Sequence, residues 1–268
     1  MYKLFFIGTG KMATAIASGV VKSKLLGASQ IGGYDVNEAA AAMFSGATGC
    51  EAAASKFPAA MENSEAVFIA VKPQVIENAL RPYSHLLKNK LVISIVAGVS
   101  LEKLKELTGA DRIIRVMPNT PAMVGAGMAA YSAAPEATER DIEFTGKLFS
   151  AVGMSLQLPE NYLDAVTAVS GSGPAYVFEF IQAMADGGVA EGLPRDVALK
   201  LAAQTVLGAA VMVLKTGVHP QQLKDNVTSP AGTTSRALEL MAERGFSGIV
   251  MQSVRAAAAR SRDLGGKK

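Results

Sequence analysis

The chain has 268 residues, of which 50% are hydrophobic and 18% charged, enough for a sizeable core and for one or two domains. Its net charge of +3 is spread along the chain without a run of lysine or arginine, so we expect no nucleic-acid partner. One cysteine and two histidines exclude a disulfide framework and a His/Cys zinc site, so we expect no metal and a reducing, cytoplasmic setting.

The first half, from Tyr2 to about Pro159, alternates strand-like and helical patterns. The strand-like runs are YKLFFI, AVFIAV, LVISIV and RIIRV, and the helical patterns cover roughly residues 10–25, 36–46, 73–88 and 100–108. This alternation is typical of a parallel sheet covered by helices on both faces. GMAAYSA and MSLQLP, which flank a helix near 136–151, are expected to extend the sheet.

The second half contains almost no strand signal. Helical patterns cover roughly residues 161–169, 174–190, 195–216, 219–226 and 233–264. The stretch Asp196 to Lys215 is apolar almost all round, and a helix without a polar face must be covered on every side. Little more than a hundred residues can hardly cover it alone, so the sequence predicts a partner chain. The longest other apolar run, Leu91 to Leu101, is too short to span a bilayer, and we expect no membrane contact.

The clearest motif lies between the first strand and the first helix and reads Ile7-Gly8-Thr9-Gly10-Lys11-Met12-Ala13. Gly8 allows a tight turn, Gly10 lets a pyrophosphate approach the backbone, and Ala13 allows close packing of helix on sheet. A purely structural glycine turn is the alternative, but the strand–turn–helix context favours a dinucleotide, with phosphates at the helix N-terminus. We therefore predict a Rossmann-type, doubly wound, mostly parallel sheet over residues 1–160 and an all-helical domain over 161–268.

Asp35 follows the second predicted strand, 25 residues after Gly10. This is near the spacing of the acid that binds a cofactor ribose, and a carboxylate would repel a 2′-phosphate. Taken alone, Asp35 favours NAD. The alternative is that it only caps the next helix.

Three loops follow the later strands and should meet at one edge of the sheet, where open α/β sheets bind ligands. We predict that they line the path of the cofactor toward its nicotinamide. Lys72 could equally be a solvated surface lysine, and the prolines around Asn119 indicate a rigid loop. The predicted cofactor contacts in these loops are Ala70, Val71, Lys72, Pro73, Ala97, Gly98 and Asn119.

Two segments of the second half combine glycine, proline and hydroxyl side chains. In Ser170-Gly171-Ser172-Gly173-Pro174 the small residues suit close approach to a ligand, but a helix cap with proline at its first position explains them equally well. The segment 224–238, KDNVTSPAGTTSRAL, presents hydroxyls and bare amides that suit a small anion. A capped turn between two helices is the alternative there.

Taken together, these motifs resemble the pyrroline-5-carboxylate reductases. IGTGKMATAI, AVKPQ, RVMPNTPAMVG, SGSGPAYVFEF and LKDNVTSPAGTTSRALELM occur in the order and at the separations typical of that family. The resemblance covers essentially the whole chain, and the last segment is the specific one. Ala231 stands where many members have glycine, a departure that should be harmless unless this residue needs a positive φ.

The resemblance implies reduction of L-1-pyrroline-5-carboxylate to L-proline, the last step of proline synthesis, with NADP(H) or NAD(H) as cofactor. Both nucleotides should be usable, with NADP(H) favoured. The substrate carboxylate would lie on amides of Gly232, Thr233 and Thr234, with a hydroxyl from Ser229, and the Thr234 hydroxyl would reach the ring nitrogen. The resemblance further implies a homodimer that can associate into a ring of five dimers.

Two other protein classes are alternatives to this family. The 3-hydroxyacid dehydrogenases share such a domain plan but resemble a pattern with a catalytic lysine shortly after a Gly-rich motif, and Ala175 to Leu199 contains no lysine. A non-catalytic dinucleotide-binding protein is the other alternative. The intact Ser/Thr segment argues against that loss of function.

Overall fold

Strands and helices divide the chain into two stretches. In the part described, residues 2–54 and 57–266 of a computed structural model, every strand precedes Leu158 and the elements after it are helical. The strands are β1 (Tyr2–Ile7), β2 (Ile31–Tyr34), β3 (Glu51–Ala53), β4 (Ser64–Ile69), β5 (Leu91–Ser94), β6 (Ile113–Met117), β7 (Gly127–Ala133) and β8 (Gly153–Gln157). The helices are α1 (Lys11–Lys22), α2 (Glu38–Thr48), α3 (Phe57–Glu62), α4 (Ile76–Leu80), α5 (Ser84–Leu87), α6 (Leu101–Thr108), α7 (Glu139–Ser150), α8 (Leu163–Val166), α9 (Gly173–Ala190), α10 (Arg195–Thr216), α11 (Pro220–Asn226), α12 (Thr233–Glu243) and α13 (Phe246–Leu264).

The strands form one sheet in the order β3-β2-β1-β4-β5-β6-β7-β8. All neighbouring pairs are parallel except β6 with β7, which are antiparallel. Two hydrophobic clusters cover its two faces, one around Phe6, Phe44 and Phe149 and the other around Leu80 and Leu104. The predicted doubly wound, mostly parallel sheet is therefore confirmed, and its strand order reverses between β1 and β4, where such folds bind ligands.

Several elements differ from the sequence prediction, among them a short strand and two interrupted helices. The three-residue strand β3 was not predicted, because a run of that length carries no readable alternation. The helix expected over 73–88 is broken into short turns, since Pro82 has no amide hydrogen to donate. The helix expected over 233–264 ends at Glu243 and restarts at Phe246, with Gly245 at a φ of 70° between them.

The chain packs as two compact units. The first, the nucleotide unit, ends at Ser172 and takes up the chain again at Ala257, and the second, the helical unit, spans Gly173–Ala256. By packing, the boundary thus lies later than the predicted division at residue 160. One reason is a hydrogen bond inside the first unit, in which the Ser261 hydroxyl donates to Asp164 Oδ1 at 2.7 Å.

The helical unit has very little core of its own. Its buried cluster consists of Ala185, Ala198 and Ala202, with Ile181 and Val189 packed against it. Along α10 large apolar side chains remain exposed, and the helix is long and apolar enough, by length and composition, to cross a membrane. Such a surface must be covered by something outside the unit.

One buried hydroxyl of the nucleotide unit provides a test of the packing. Thr145 is fully buried, and its Oγ1 has no hydrogen-bond partner within the described residues. We expect Thr145→Val to raise the free energy of unfolding by about 1 kcal/mol, because burying an unpaired hydroxyl is unfavourable. Chemical denaturation measures the change.

Thr108→Val is the matched control for that change. The Thr108 hydroxyl is also buried, but it donates to the Leu104 carbonyl at 2.7 Å and accepts from the Ala110 amide at 3.2 Å. Its loss leaves that amide unpaired and should lower the unfolding free energy by roughly 1–3 kcal/mol. Equal effects of the two substitutions would contradict this account of the hydrogen bonds.

Candidate functional site

The carboxyl ends of β1, β2, β4, β5 and β6 lie along one edge of the sheet, because these strands are mutually parallel. The cofactor contacts predicted from the sequence lie in the segments that follow these strands. The nucleotide unit therefore gathers these predicted residues at one edge, and the predicted substrate residues lie in the helical unit.

Gly8 makes the turn after β1 possible. Its φ is +90°, and a Cβ at this position would lie 2.6 Å from the carbonyl oxygen of Ala70 and 3.1 Å from Cγ1 of Val71. A side chain here would collide with the segment after β4 as well as strain the backbone. The glycine turn and the Ala70–Pro73 segment are thus packed directly against each other.

Gly10 leaves the start of α1 open. It is the N-cap residue in an extended conformation, and α1 has no side-chain cap. A Cβ on Gly10 would meet nothing within 4 Å, so no protein packing explains the glycine. By contrast α2, α6 and α7 are capped by the side chains of Asn37, Ser100 and Thr138. The first amides of α1 thus have no side-chain acceptor, which a phosphate-binding helix start requires, although α4 and α10 also begin without a side-chain cap.

Asp35 binds the glycine turn. Its Oδ2 accepts hydrogen bonds from the Thr9 amide at 2.8 Å and from the Thr9 hydroxyl at 3.3 Å, and its Oδ1 accepts from the Asn37 amide at 3.0 Å. The cap of α2 is Asn37, so the alternative of Asp35 as that cap does not hold. No sequence pattern signals the Thr9 contact, because the hydrogen bond joins residues 26 positions apart.

Asn119 joins three parts of the nucleotide unit. Its Oδ1 accepts from the Met128 amide at 2.8 Å, and its Nδ2 donates to the Ser170 carbonyl at 3.1 Å. A Cβ on Gly171 would lie 2.4 Å from Cε of Met117, so this glycine allows close packing behind the same loop. Ser170 and Gly171 thus support the predicted nicotinamide loop from a π-helical turn over Thr167–Gly171, and π-helical turns are frequent at functional sites.

In the helical unit, α12 also begins without a side-chain cap. Its N-cap is Gly232 in an extended conformation (φ −81°, ψ 174°), closely similar to Gly10 before α1. A Cβ on Gly232 would lie 2.3 Å from Ser229 Oγ, so the Ser229 hydroxyl lies at the start of the helix. The start of α12 thus combines a helix turn without a side-chain cap and a nearby hydroxyl, which is the kind of group an anion-binding helix start offers.

The arrangement offers anion binding and orientation. The described residues contain no group of three or more His, Cys, Asp or Glu side chains that could hold a metal ion. The segment 229–234 itself carries hydroxyls and amides, without a histidine, cysteine or carboxylate. Fold and site together define the class: an oxidoreductase with a Rossmann-type nucleotide unit and a helical C-terminal unit.

Comparison with known proteins specifies that class. Residues 160–264 match the family model for pyrroline-5-carboxylate reductase dimerisation, and residues 3–98 match the model for NADP oxidoreductase, coenzyme F420-dependent. A pyrroline-5-carboxylate reductase from Glycine max is 48% identical, covering 98% of this chain and 96% of the relative. That of Escherichia coli is 42% identical, covering 94% of each. The chain belongs to the pyrroline-5-carboxylate reductase family.

Solved structures agree with this assignment. The Plasmodium falciparum pyrroline carboxylate reductase, with NADP bound, has a TM-score of 0.88 at 33% identity and covers 98% of each chain. A pyrroline-5-carboxylate reductase from Coxiella burnetii has a TM-score of 0.91 at 30% identity, again with 98% of each chain covered. The predicted fold, including the helical C-terminal part, is confirmed.

The contacts of Asp35 generate a prediction on cofactor binding. Asp35→Ala removes the acceptor of the Thr9 amide, so it should weaken NADH and NADPH together, on the order of tenfold for a hydrogen bond to a charged group. Asp35→Asn keeps an oxygen acceptor but removes the charge. It should retain the affinity for both NADH and NADPH, because the acceptor of the Thr9 amide stays in place, and equilibrium titration of both nucleotides measures this. An Asp35→Ala protein that loses NADH affinity alone would contradict the role in the turn.

Proposed function

We propose that this protein reduces L-1-pyrroline-5-carboxylate to L-proline with NADPH or NADH. The observation that carries the proposal is the intact segment Ser229–Thr234 at the uncapped start of α12, in a chain of this family. A cyclic imine protonates readily, and hydride then adds to its electrophilic carbon while the nitrogen becomes the amine of proline. This reaction requires orientation of the reactants more than a strong acid.

The nucleotide unit would hold the cofactor, which supplies the hydride when bound. The amides at the start of α1, behind Gly8 and Gly10, would hold the phosphates, with Ile7, Thr9, Lys11 and Met12 beside them. The segments after β4, β5 and β6 would hold the nicotinamide end. The residues proposed for that path are Ala70, Val71, Lys72, Pro73, Ala97, Gly98 and Asn119.

NADPH and NADH are both accepted in this proposal, with NADPH favoured. The Asp35 carboxylate is directed at the Thr9 amide, which reduces its capacity to bind a ribose hydroxyl or to repel a 2′-phosphate. The P. falciparum relative, 33% identical, has NADP bound, which supports the phosphorylated nucleotide.

The substrate carboxylate would bind at Gly232, Thr233 and Thr234, where the amides of Thr233 and Thr234 are its donors and the Gly232 amide closes the preceding turn by donating to the Ser229 carbonyl at 3.1 Å. These groups carry the positive end of the α12 dipole, and no side chain caps them. Ser229 adds a hydroxyl at the same helix start. Charge-assisted bonds of this kind fix the position of the ring as well as its affinity.

Thr234 would act at the ring nitrogen. It is half-buried in the first turn of α12. Its hydroxyl can accept from the protonated imine and can donate to the amine of the product, so it serves both states. Its main role is to orient the ring for hydride transfer, and proton supply is secondary.

Replacing Thr234 tests this role. We expect Thr234→Ala to lower kcat on the order of 10²-fold, the size typical of an orienting or acid–base group. Thr234→Ser keeps the hydroxyl and should retain most activity. Nucleotide affinity should not change, since the phosphate site lies in the other unit. Steady-state kinetics with the imine acid measure kcat, and nucleotide titration measures the affinity for the cofactor. A fully active Thr234→Ala enzyme would contradict this role and would show that the loop is only a structural turn.

Self-association follows from membership of a family defined in part by its dimerisation domain. We propose in addition that α10 and α13 interleave with their copies in a two-fold homodimer, and that such dimers can form a ring of five. The sparse core of the helical unit supports this, because obligate interfaces resemble a core cut in half. Coverage by a second copy, rather than by lipid, fits a cytoplasmic enzyme.

A charge on α10 tests the dimer. Leu207 is 55% exposed in the single chain, and we expect Leu207→Glu to dissociate the dimer, because it would place an unpaired carboxylate inside an apolar interface. Met43→Glu is the control, since Met43 is 71% exposed on α2 of the nucleotide unit, outside the proposed interface. Sedimentation velocity measures the oligomer. A stable, active wild-type monomer at nanomolar concentration would refute the interleaved dimer.

A further inference from the structure

Ala231 has a backbone conformation that L-residues rarely adopt. Its φ is +55°, and the other non-glycine residue of the described chain with positive φ is Lys24. The Ala231 side chain is exposed, so no packing of its methyl group compensates for the conformation. A Cβ in the left-handed region meets the following carbonyl, which is why glycine predominates there.

The conformation of Ala231 belongs to a turn of defined type. The Gly232 amide donates to the Ser229 carbonyl at 3.1 Å, which closes a four-residue turn with Pro230 and Ala231 at its centre. Proline fixes a negative φ at the first central position, which excludes types I′ and II′. A positive φ at the second excludes type I. The turn is therefore type II, which normally requires glycine or asparagine where this chain has alanine.

This turn positions the groups that the proposed function uses. It brings Ser229 Oγ against the backbone of Gly232, the N-cap of α12. After the turn, the Ser235 hydroxyl donates to the Gly232 carbonyl at 2.8 Å, and this hydrogen bond stabilises the first turn of α12. If Ala231 takes a negative φ, the type II geometry is lost, and Ser229 and the helix amides are no longer presented in this arrangement.

We propose that Ala231 limits the affinity of the enzyme for its imine-acid substrate by disfavouring the turn that presents Ser229 and the first amides of α12. The inference rests on the proposed function, which places the substrate carboxylate on these groups. Binding then selects the turned conformation from an equilibrium with open ones, and the apparent affinity is reduced by the fraction of loop already turned. Ala231 is thus a positioning residue, since it acts through the backbone of its neighbours.

A series of substitutions at position 231 changes how readily the residue adopts a positive φ. None of the substituted side chains is charged. Ala231→Gly should lower the KM for L-1-pyrroline-5-carboxylate by about fivefold, because a left-handed residue with a Cβ is disfavoured by roughly that factor after allowance for the flexibility of glycine. Ala231→Asn should lie between glycine and alanine, and Ala231→Val should raise KM. We expect kcat and the KM for NADPH to stay constant, because the bound loop is the same in every variant.

Lys24→Gly is the matched control. Lys24 has a φ of 60° just after α1, and its amide donates to the Val21 carbonyl at 3.1 Å. The substitution relieves the same backbone strain outside every residue assigned to the site. It should stabilise the fold without changing any KM, which separates a local effect of Ala231 from a general effect of stability.

The outcomes are distinct. A KM that rises in the order Gly, Asn, Ala, Val at constant kcat supports the inference, and calorimetric titration with L-proline should give the same order of affinity. An active enzyme whose KM is the same in all variants, or one in which Lys24→Gly lowers KM equally, would overturn the inference and leave the proposed function intact. A wild-type protein that consumes no NADPH with the imine acid would overturn both.

Discussion

The constraint on which this structure depends is the supply of unpaired backbone amides at two helix starts. Gly10 before α1 and Gly232 before α12 are extended N-cap residues without side-chain caps, although Asn37, Ser100 and Thr138 show that this chain caps other helices. An uncapped helix start is unfavourable unless water or a ligand satisfies it. In the proposed function, one positive helix end binds the phosphates and a second binds a carboxylate, without a cluster of lysines.

The surrounding contacts hold these helix ends in place. At the first, Gly8 admits the backbone of Ala70, and the Asp35 carboxylate accepts the Thr9 amide between the two glycines. At the second, the turn through Pro230 brings Ser229 to the helix, although Ala231 opposes that turn. The first end is firmly supported by its neighbours, whereas the second is held by a strained turn. A strained segment at a binding site is common where the ligand completes the structure.

Much of the fold could be predicted from the sequence, because β1, β4, β5 and β6 are short runs of apolar residues buried on both faces. The glycine motifs could also be recognised in the sequence, because their spacing follows from the tight turn and the close approach to the backbone that glycine allows. The strand β3 was too short to leave a pattern. The hydrogen bond from Thr9 to Asp35 could not be predicted, because it depends on how two distant segments pack. The positive φ of Ala231 could not be predicted either, because alanine is compatible with several backbone conformations.

The central claim is that the open start of α12 binds the carboxylate of the substrate. The most direct measurement compares L-1-pyrroline-5-carboxylate with 1-pyrroline, the same cyclic imine without the carboxylate, at saturating NADPH. The account predicts that kcat/KM falls on the order of 10²-fold or more for 1-pyrroline, since the charge-assisted hydrogen bonds from the helix amides and from Ser229 are lost, while the affinity for NADPH is unchanged. Equal kcat/KM for the two imines would contradict it.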